Sequence, residues 1–557
     1  MASVHVVFQF LLIATAANFW HGQVQGRVIT STNKFSQFAS LDLAAGLNRY
    51  LQHETKRLEI IKSSKGYEKE LPILKTRLKK LQLLNKQMTA RKAELDSLRK
   101  KLSDFHPTSA LRAVSDFLET WGEKLQNDTV YGFRFAEFLS NDDRSKLPTK
   151  SDLLFLCQAV AEIQFVYNLT TSDLYAGKVI GQKGTPLLPK DAYEIAHASR
   201  DLSHLEQAAW WFEIALNNTP EAEMKSKNVG NTSYPFADAM AYLGALKYGM
   251  DEQQKGLKLL ERASDLDPEN DRILREYLRH RHGRDVQPLV HSDPGEFKMH
   301  WFRLCANASS TPLAPVKWYH VCRYRTSFRV PYKVYREEIL SRSPFLSLIH
   351  DLVTPQEARR LINVSKDKIG HPAVEGAESH LFNVQGTQLK NNETIAATIA
   401  DRIADLTGMD TTERKILSSG EPLHVLNYGI SGSFQPHQDI YRPYGFSYMM
   451  NLSGHRLASV LIYLSNVKAG GATAFPHLNI SVTPELGKAL LWFNTSPNGE
   501  VEKDIVHAGC PVAVGAKWVA SKGIWSSGNE LRRPCGPKVT SSHLAVDKIA
   551  PRIPASP

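Results

Sequence analysis

The spacing of apolar residues changes along the chain, from a helical period in the first half to short apolar runs in the second. From Leu43 to Leu102, apolar residues recur at steps of three and four, as at Leu74, Leu78 and Leu81. Steps of this size align side chains along one stripe of a helix. The pattern predicts a coiled-coil or helical-hairpin seam, and an amphipathic helix packed only within its own chain is an equal alternative.

A second helical part extends from about residue 146 to residue 280 and contains two similar stretches. One begins at Ile195 and reads IAHASRDLSHLEQAAWWFEIALNNTPE; the other begins at Tyr242 and reads YLGALKYGMDEQQKGLKLLERASDLDPEN. Each has small residues where two helices would cross: Ala208 and Ala215, then Gly256 and Ala263. The spacing resembles the tetratricopeptide repeat, in which paired helices stack and form a groove. We therefore expect a short TPR-like, peptide-binding domain.

Beyond residue 335, short apolar runs separated by Gly-rich turns replace the helical period. The runs include PLHVLNY, ASVLIYLS, KALLWFN and CPVAV. Many short strands with such turns indicate a sandwich or barrel of antiparallel sheets. We expect a jelly roll, the double-stranded β-helix, and hence a multidomain α + β protein.

The length of 557 residues and the 42% hydrophobic content indicate several cores. The apolar run from Val6 to Ala17 is typical of a secretory signal, and a buried N-terminal helix is the alternative. The expected organisation is a signal peptide at 1–26, a helical or coiled-coil dimerisation region at 27–145, the TPR-like domain at 146–280, a linker with a disulfide loop at 281–335, the strand-rich β domain at 336–536 and a tail at 537–557.

Charge and hydropathy restrict the partners. The formal net charge is +11, and many basic residues lie between Lys56 and Lys101 among Glu and Leu. This arrangement favours the solvated face of a helix over nucleic-acid binding. After the expected signal, no apolar run reaches the roughly 18 residues that a membrane span needs. We expect a glycoprotein of the secretory pathway, in keeping with sequons at Asn127, Asn168, Asn231 and Asn363.

The cysteines fall at Cys157, Cys305, Cys322, Cys510 and Cys535. In an oxidising compartment, the simplest pairing has two short-range bridges, Cys305 with Cys322 and Cys510 with Cys535. Cys157 would then be left over.

A candidate metal site lies in the β region. His437 and Asp439 occur in FQPHQD, and His507 follows further along the chain. Residues two apart on a strand point to the same side, and two imidazoles with one carboxylate leave coordination positions open. That donor set suits Fe(II) that binds a 2-oxo acid and oxygen. The HxD spacing alone is a weak signal, because His291 and Asp293 share it. For His437 taken alone, a hydrogen-bonded surface or core histidine is the alternative.

Lys517 strengthens the case for the metal site. It lies inside the apolar run HAGCPVAVGAKWVAS, ten residues after His507. A lysine buried there needs a counter-ion, which the far carboxylate of 2-oxoglutarate would supply. A surface lysine on an edge strand is the alternative.

The segment 421–535 resembles the catalytic domain of the collagen prolyl 4-hydroxylase α subunits. The matching pieces are NYGISGSFQPHQD, HRLASVLIYLS, GGATAFP, HAGCPVAVGAKWVASK and ELRRPC. LNRYLQHETKRLEII resembles the family's dimerisation region, the repeat-like part resembles its peptide-substrate-binding domain, and the cysteine spacing fits its two intrachain bridges. The resemblance implies the following roles: Fe(II) ligands His437, Asp439 and His507; 2-oxoglutarate anchor Lys517 with hydrogen-bonding helpers Tyr428 and Thr473; and a peptide-facing Arg456.

The resemblance also implies a reaction and a setting. Peptidyl proline, in proline-rich or collagen-like peptides, would be hydroxylated at C4 while O2 converts 2-oxoglutarate to succinate, and L-ascorbate would restore iron after uncoupled cycles. Protein disulfide isomerase would be the β subunit of an α2β2 tetramer in the endoplasmic reticulum lumen. The sequence ends in IPASP without a retention tail, so we expect either that a partner holds the chain there or that it is secreted.

The sequence departs from the family pattern at two places. Gly523 and Trp525 stand where a tryptophan and a histidine or other polar residue are usual. In the repeat region, Arg200, Leu205 and Glu206 stand where groove tyrosines are expected, and we assign Trp210 and Trp211 to helix packing. Two alternatives therefore stay open: a dioxygenase acting on another residue or on a non-collagen protein, and a non-catalytic assembly subunit.

Overall fold

The structure is a computed structural model. It describes scattered residues between 51 and 86, and then residues 105–122, 147–220, 234–283, 295–310, 321–330, 332–369, 384–414, 416–440 and 453–533. The expected signal peptide, most of the coiled-coil segment, the second HxD motif, Cys535 and the tail lie outside the described residues. None of the described helices combines the length and apolar character that crossing a membrane requires.

The first part of the described chain is helical. Its helices are α1 (Pro107–Phe117), α2 (Lys150–Tyr167), α3 (Thr171–Tyr175), α4 (Pro189–Asp201), α5 (Leu205–Asn217), α6 (Phe236–Gly249), α7 (Gln253–Leu266), α8 (Asp271–Arg281) and α9 (Glu296–Ser310). A π-helical turn, Leu118–Gly122, extends α1, and a small hairpin of β1 (Lys178–Val179) and β2 (Gln182–Lys183) follows α3. Capping explains where α2 begins, because Thr149 and Asp152 form a reciprocal capping box.

The helices of the repeat-like part are paired as the sequence predicts. Helix α4 packs against α5, and α6 packs against α7. At the second crossing the backbones nearly touch, since a Cβ on Gly256 would lie 2.6 Å from the carbonyl oxygen of Gly244. Ala208, Ala215 and Ala263 are fully buried. The paired helices are therefore present, whereas their assignment to the tetratricopeptide family stays a prediction.

The two tryptophans of α5 have different roles. Trp211 is fully buried, and its Nε1 donates a hydrogen bond to Oε1 of Gln164 at 2.6 Å. The packing role is confirmed for Trp211. It is wrong for Trp210, which is 44% exposed, because the two side chains leave the helix about 100° apart.

The second part of the described chain is built mainly of short strands, with two helices among the residues that the structure describes. The strands are β3 (Val321–Thr326), β4 (Val334–Arg342), β5 (Phe345–His350), β6 (Gln385–Leu389), β7 (Leu423–Tyr428), β8 (Phe434–His437), β9 (Arg456–Tyr463), β10 (Ala469–Gly470), β11 (Thr473–Phe475), β12 (Ile480–Val482), β13 (Ala489–Phe493), β14 (His507–Gly509), β15 (Val512–Val514) and β16 (Lys517–Trp525). The helices are α10 (Pro355–Ser365) and α11 (Thr394–Thr407). Two 3-10 turns, Pro476–Leu478 and Lys503–Ile505, connect strands.

The strands form two main antiparallel sheets. The larger has the order β3-β4-β5-β13-β9-β16-β7-β6, and the smaller has the order β12-β11-β14-β8. Strands β10 and β15 form a separate pair. Apolar side chains from both main sheets, such as Tyr463 and Phe475, share one core, and the other face of the larger sheet packs against α10 and α11. This arrangement is consistent with the expected jelly roll.

Two expectations for residues 281–335 need correction. The region contains helix α9 and the edge strand β3, so it is not only a linker. Cys305 is bonded to Cys510, with 5.5 Å between their Cα atoms, so the two predicted short-range pairings are wrong. The physical reason is that α9 lies against β10, β11 and β12, which brings Cys305 next to Cys510, while Cys322 is exposed on β3. Cys157 is unpaired, as expected, and buried.

The helical part and the β part share a continuous apolar core. Ile430, Ala469 and Ala472 belong to the same cluster as the helical side chains. Polar contacts fasten this interface: the hydroxyl of Tyr167 donates to the carbonyl of Pro511 at 2.5 Å, and Ser431 Oγ donates to Glu162 Oε2 at 2.6 Å. Helix α2 is thereby held against the turn that leads into β8.

We expect Gly256→Ala to destabilise the helical part by about 1–3 kcal/mol, because overpacking at the α6–α7 crossing forces the two backbones apart. The added methyl would also lie 2.6 Å from the backbone nitrogen of Tyr248. The measurement is urea unfolding followed by the helical circular dichroism signal.

Lys258→Ala is the matched control, since Lys258 is exposed on the same helix. Its unfolding midpoint should stay close to that of the unaltered chain. An equal midpoint for Gly256→Ala would contradict the close approach at Gly256.

Candidate functional site

The two predicted histidine ligands meet because their strands pair. Strands β8 and β14 are antiparallel neighbours, with His507 directly opposite His437 and 4.3 Å between the ring centroids. Asp439 follows β8, and its Oδ1 lies 3.7 Å from Nε2 of His437 and 3.8 Å from Nε2 of His507. Within the described ranges, these three residues are the group of His, Cys, Asp or Glu whose ligand atoms all lie within 4.8 Å of one another.

Both imidazoles are oriented for metal binding. Nδ1 of His437 lies 2.8 Å from the carbonyl oxygen of Gln435, and Nδ1 of His507 lies 3.2 Å from that of Ile505. A carbonyl only accepts hydrogen bonds, so Nδ1 must carry the proton in each ring. The unprotonated Nε2 atoms therefore face Asp439, as metal-binding histidines require.

Burial and neighbouring charges put the three ligands in their metal-binding ionisation states. Burial lowers the pKa of His437 to about 3, with His507 adding to the effect, and burial also lowers the pKa of His507. Burial alone would raise the pKa of Asp439, but the adjacent Arg456, His507 and His437 outweigh it and hold that pKa below its usual range. At neutral pH the site therefore offers two neutral imidazoles and one carboxylate.

A chain of hydrogen bonds fixes the orientation of the carboxylate. Ser459 Oγ donates to Asp439 Oδ2 at 2.6 Å, and Asn494 Nδ2 donates to Ser459 Oγ at 3.0 Å. The indole of Trp492 donates in turn to Asn494 Oδ1 at 2.9 Å, and its ring lies 4.6 Å from that of His507. Oδ2 is thus engaged by protein, which leaves Oδ1 directed toward the histidines.

Arg456 lies between two carboxylates. Its Nη1 lies 3.0 Å from Oδ1 of Asp439. On the other side, its Nε and Nη2 lie 2.7 and 2.6 Å from Oε1 of Glu421. The Arg456 side chain is 13% exposed, and Glu421 is buried. The contact that Arg456 is expected to make with a peptide stays a prediction.

Lys517 lies between the sheets, next to both of its predicted helpers. Its ammonium donates to Thr473 Oγ1 at 3.4 Å and lies 4.8 Å from the centroid of the Tyr428 ring, which belongs to its strand partner. Tyr463 donates its hydroxyl to the same Thr473 oxygen at 2.8 Å. Lys517 is 1% exposed, and burial lowers its pKa to about 7. The surface-lysine alternative is therefore wrong.

The ammonium of Lys517 has no carboxylate partner among the described side chains. A buried cation without a counter-ion is costly unless a ligand supplies one. The threonine hydroxyl already accepts from Lys517 and Tyr463, so its own proton is available for a further acceptor. The pocket therefore fits one end of an anionic ligand such as a dicarboxylate.

The facial donor set beside this pocket fits Fe(II). Two histidines and one carboxylate would hold the ion and leave positions for a chelating 2-oxo acid and oxygen.

Sequence reasoning missed the residues that support the ligands. Ser459 was detectable in principle, because it is a polar residue in the middle of the apolar strand RLASVLIY. Asn494, Tyr463 and Glu421 carry no comparable local signal, since each reaches the site through a contact with a residue distant in the sequence or on another strand.

We expect Mn(II), a redox-stable substitute for Fe(II), to raise the melting temperature of the unaltered chain and to lose that effect in His437→Ala. A ligand present at 100 times its Kd stabilises the folded state by about 2.7 kcal/mol. Differential scanning fluorimetry with and without Mn(II) measures the difference.

His350→Ala is the control, because His350 lies on β5 and outside the site. It should keep the full response to Mn(II). The same response in His437→Ala would rule out the proposed ligand set.

Two family models match the chain. The 2OG-Fe(II) oxygenase superfamily matches residues 423–525, which contain all three ligands, Lys517 and both helpers. The prolyl 4-hydroxylase alpha-subunit N-terminal region matches residues 40–181.

Curated relatives cover most of the chain. Human prolyl 4-hydroxylase subunit alpha-3 is 30% identical over 421 residues, which are 70% of this chain and 76% of that protein. Chicken prolyl 4-hydroxylase subunit alpha-2 is 24% identical over 94% of this chain and 98% of its own length. Among solved structures, the viral collagen prolyl hydroxylase of Paramecium Bursaria Chlorella virus-1 in its 2OG complex is 22% identical, with a TM-score of 0.27, and covers 32% of this chain and 95% of its own. The chain belongs to the prolyl 4-hydroxylase alpha-subunit family and is a 2-oxoglutarate-dependent dioxygenase.

Proposed function

We propose that the chain is a catalytic α subunit that hydroxylates C4 of proline in collagen-like or other proline-rich peptides. In this proposal 2-oxoglutarate is decarboxylated to succinate, L-ascorbate restores iron after uncoupled cycles, and protein disulfide isomerase is the β subunit of an α2β2 tetramer in the endoplasmic reticulum lumen. The names of the relatives, which are alpha subunits of prolyl 4-hydroxylases, support the subunit role and the choice of proline.

One observation carries the catalytic part of the proposal. The three candidate metal ligands and Lys517 adjoin one core cluster, since Trp492 of that cluster contacts His507 and its Tyr428 contacts Lys517, a buried ammonium without a carboxylate partner among the described residues. A non-catalytic assembly subunit would have no need for an uncompensated buried cation, which costs stability. A 2-oxo dicarboxylate explains both features, because one end would bind the metal and the other would pair with Lys517.

The chain's own residues have separate tasks in this reaction. Bound Fe(II) would supply the oxidising chemistry with O2 and 2-oxoglutarate. Lys517 and Thr473 would bind the far carboxylate by charge-assisted hydrogen bonds. The rings of Tyr428 and Tyr463 surround the ammonium and exclude water from it. Gly509 leaves space for Tyr428, since a Cβ there would lie 3.1 Å from the tyrosine ring.

An aromatic cluster in the helical part supports peptide binding. Tyr242 lies under two guanidinium groups, with Arg200 at 4.9 Å and Arg272 at 4.4 Å from its ring centroid. His197 and Tyr193 continue the cluster along α4. Although Arg200 stands where a tyrosine was expected, aromatic faces are present around it. Aromatic faces suit proline rings and extended proline-rich segments. Tyr193 is buried, so His197 and Tyr242, which are half-buried, are the members of the cluster that a peptide would contact.

The proposal predicts that the chain, co-expressed with protein disulfide isomerase, converts a proline-rich peptide to 4-hydroxyproline. Succinate should form in step with hydroxyproline when Fe(II), 2-oxoglutarate and ascorbate are supplied. Mass spectrometry of the peptide and quantification of succinate measure both products. We expect Lys517→Met to abolish this activity, because the far carboxylate loses its counter-ion.

Lys522→Met is a matched control, since Lys522 is equally buried on β16 but, unlike Lys517, has the carboxylates of Glu413, Glu421 and Asp410 near enough to offset its charge. It should remain active. Hydroxylysine in the product would support a different target residue. No product on a panel of proline and lysine peptides, with enzyme that binds Mn(II), would favour the assembly-subunit alternative.

The ionisation of Lys517 should make 2-oxoglutarate binding dependent on pH. Only the ammonium form pairs with the far carboxylate, and the pKa of Lys517 in the free enzyme is about 7. Affinity should therefore be constant below this pKa and fall by about tenfold per pH unit above it. Calorimetric titration of the Mn(II)-loaded chain with 2-oxoglutarate between about pH 6 and about pH 9 measures the dependence.

In this range the carboxylates of 2-oxoglutarate are ionised, and burial lowers the pKa of both site histidines, that of His437 to about 3. Lys517→Met should bind weakly with a flat profile. A flat profile in the unaltered chain would show that Lys517 does not anchor the dicarboxylate.

A further inference from the structure

Arg456, which contacts both Glu421 and Asp439, partly neutralises the negative charge of the candidate metal site. Asp439 is the only negative member of the ligand set, and a guanidinium lies 3.0 Å from the same oxygen that faces the two histidines. A cation at that distance opposes the approach of a divalent metal ion. A carboxylate oxygen has two lone pairs, so Oδ1 can accept from Arg456 and still bind a metal, but its negative charge is partly neutralised.

Glu421 offsets this effect. Its Oε1 accepts hydrogen bonds from both Nε and Nη2 of Arg456, at 2.7 and 2.6 Å. The side chain of Glu421 is only 10% exposed, and that of Arg456 is 13% exposed. Because solvent screens charges weakly at such low exposure, the negative charge of Glu421 offsets nearly all of the positive charge of Arg456. Asp439, Arg456 and Glu421 together contribute one net negative charge, whereas Asp439 and Arg456 alone would contribute none.

Gly523 provides the space for this ion pair. A Cβ at that position would lie 2.5 Å from both Cδ and Oε1 of Glu421 and 2.7 Å from Nε of Arg456. The backbone also connects these positions, since the amide of Glu421 donates to the carbonyl of Gly523 at 3.0 Å. Any larger side chain at 523 would require Glu421 and Arg456 to move. This includes a tryptophan, which is usual at this position in the family that the sequence resembles.

We infer that Gly523 and Glu421 are positioning residues for the metal site: they hold Arg456 in register with Asp439 and restore the negative charge that Arg456 removes. The inference rests on the metal site of the proposed function, not on the choice of proline as substrate. It gives the departure at 523 a physical role, since the ion pair of Glu421 and Arg456 occupies the space that a side chain at 523 would fill.

The test measures Mn(II) affinity calorimetrically, with the full chain co-expressed with its partner and without peptide or 2-oxoglutarate. Glu421→Gln keeps the shape of the side chain but removes its charge, and Gly523→Ala adds one methyl group to the occupied space. Each should weaken Mn(II) binding by roughly tenfold or more, as is usual when groups behind a metal ligand are altered.

The double variant Glu421→Gln with Arg456→Gln separates charge from packing. Removing both charges leaves Asp439 with its full negative charge, so Mn(II) should bind more tightly than in Glu421→Gln alone. A purely structural role would instead make two substitutions at one contact weaken binding further.

Two controls match these substitutions away from the site. Glu357→Gln alters a comparable ion pair, in which Glu357 lies 2.6 Å from Arg402, between α10 and α11. Gly386→Ala adds a methyl group on β6, which belongs to the same large sheet as Gly523. The nearest neighbour of that methyl group would be the flexible end of the Leu426 side chain. Both controls should leave Mn(II) affinity unchanged.

The outcomes separate this inference from the proposed function. Unchanged Mn(II) affinity in Glu421→Gln and Gly523→Ala, an equal loss in both controls, or weaker binding by the double variant than by Glu421→Gln would each overturn the inference. An unaltered chain that binds no Mn(II) would also overturn it. If the unaltered chain binds Mn(II) and the variants behave as expected, but no proline is hydroxylated, the inference holds and only the choice of substrate fails.

Discussion

The pairing register of β8 and β14 is the constraint on which the active site depends. His437 and His507 converge because they are cross-strand partners, and a slip by one residue would turn one of them to the opposite face of the sheet. Neighbouring contacts maintain this register. Strand β11 pairs with the other edge of β14, and the turn before β8 is fixed by hydrogen bonds between Ser431 and Val512 and between Ser431 and Glu162 of helix α2. The helical part thus helps to hold the strand that carries a metal ligand.

Buried charge is distributed in two contrasting ways around this pair of strands. Lys517 is an isolated ammonium whose counter-ion must come with a ligand, whereas Arg456 has two carboxylates of its own. The first arrangement costs stability in the free protein and creates affinity for an anion. The second preserves the charge and orientation of Asp439. Both depend on the tight packing between the sheets, which keeps water from screening either charge.

Packing between the two parts also explains the main errors of sequence reasoning. Cysteines close in sequence were expected to pair, yet α9 lies across the β part and brings Cys305 to Cys510, from which it is 205 residues distant in the sequence. Likewise Trp210 and Trp211 are equally apolar in sequence, but only the position of Trp211 faces the neighbouring helices and Gln164. Local patterns predict which residues prefer to be buried. They do not specify the partner surface that covers them.

The sequence by itself determined the paired helices, the strand-rich second part, the candidate metal ligands and the buried lysine. Most of these have a local signature: helical periodicity with small crossing residues, short apolar runs between turns, the HxD spacing of His437 and Asp439, and a lysine within an apolar run. His507 has no such local signature, and the structure brings it opposite His437 through strand pairing. The tertiary structure alone decided how Ser459, Asn494 and Glu421 support Asp439, why position 523 is a glycine, and which cysteines meet. These features arise from contacts between strands distant in sequence, where the partner's identity and the available space are set only when the sheets assemble.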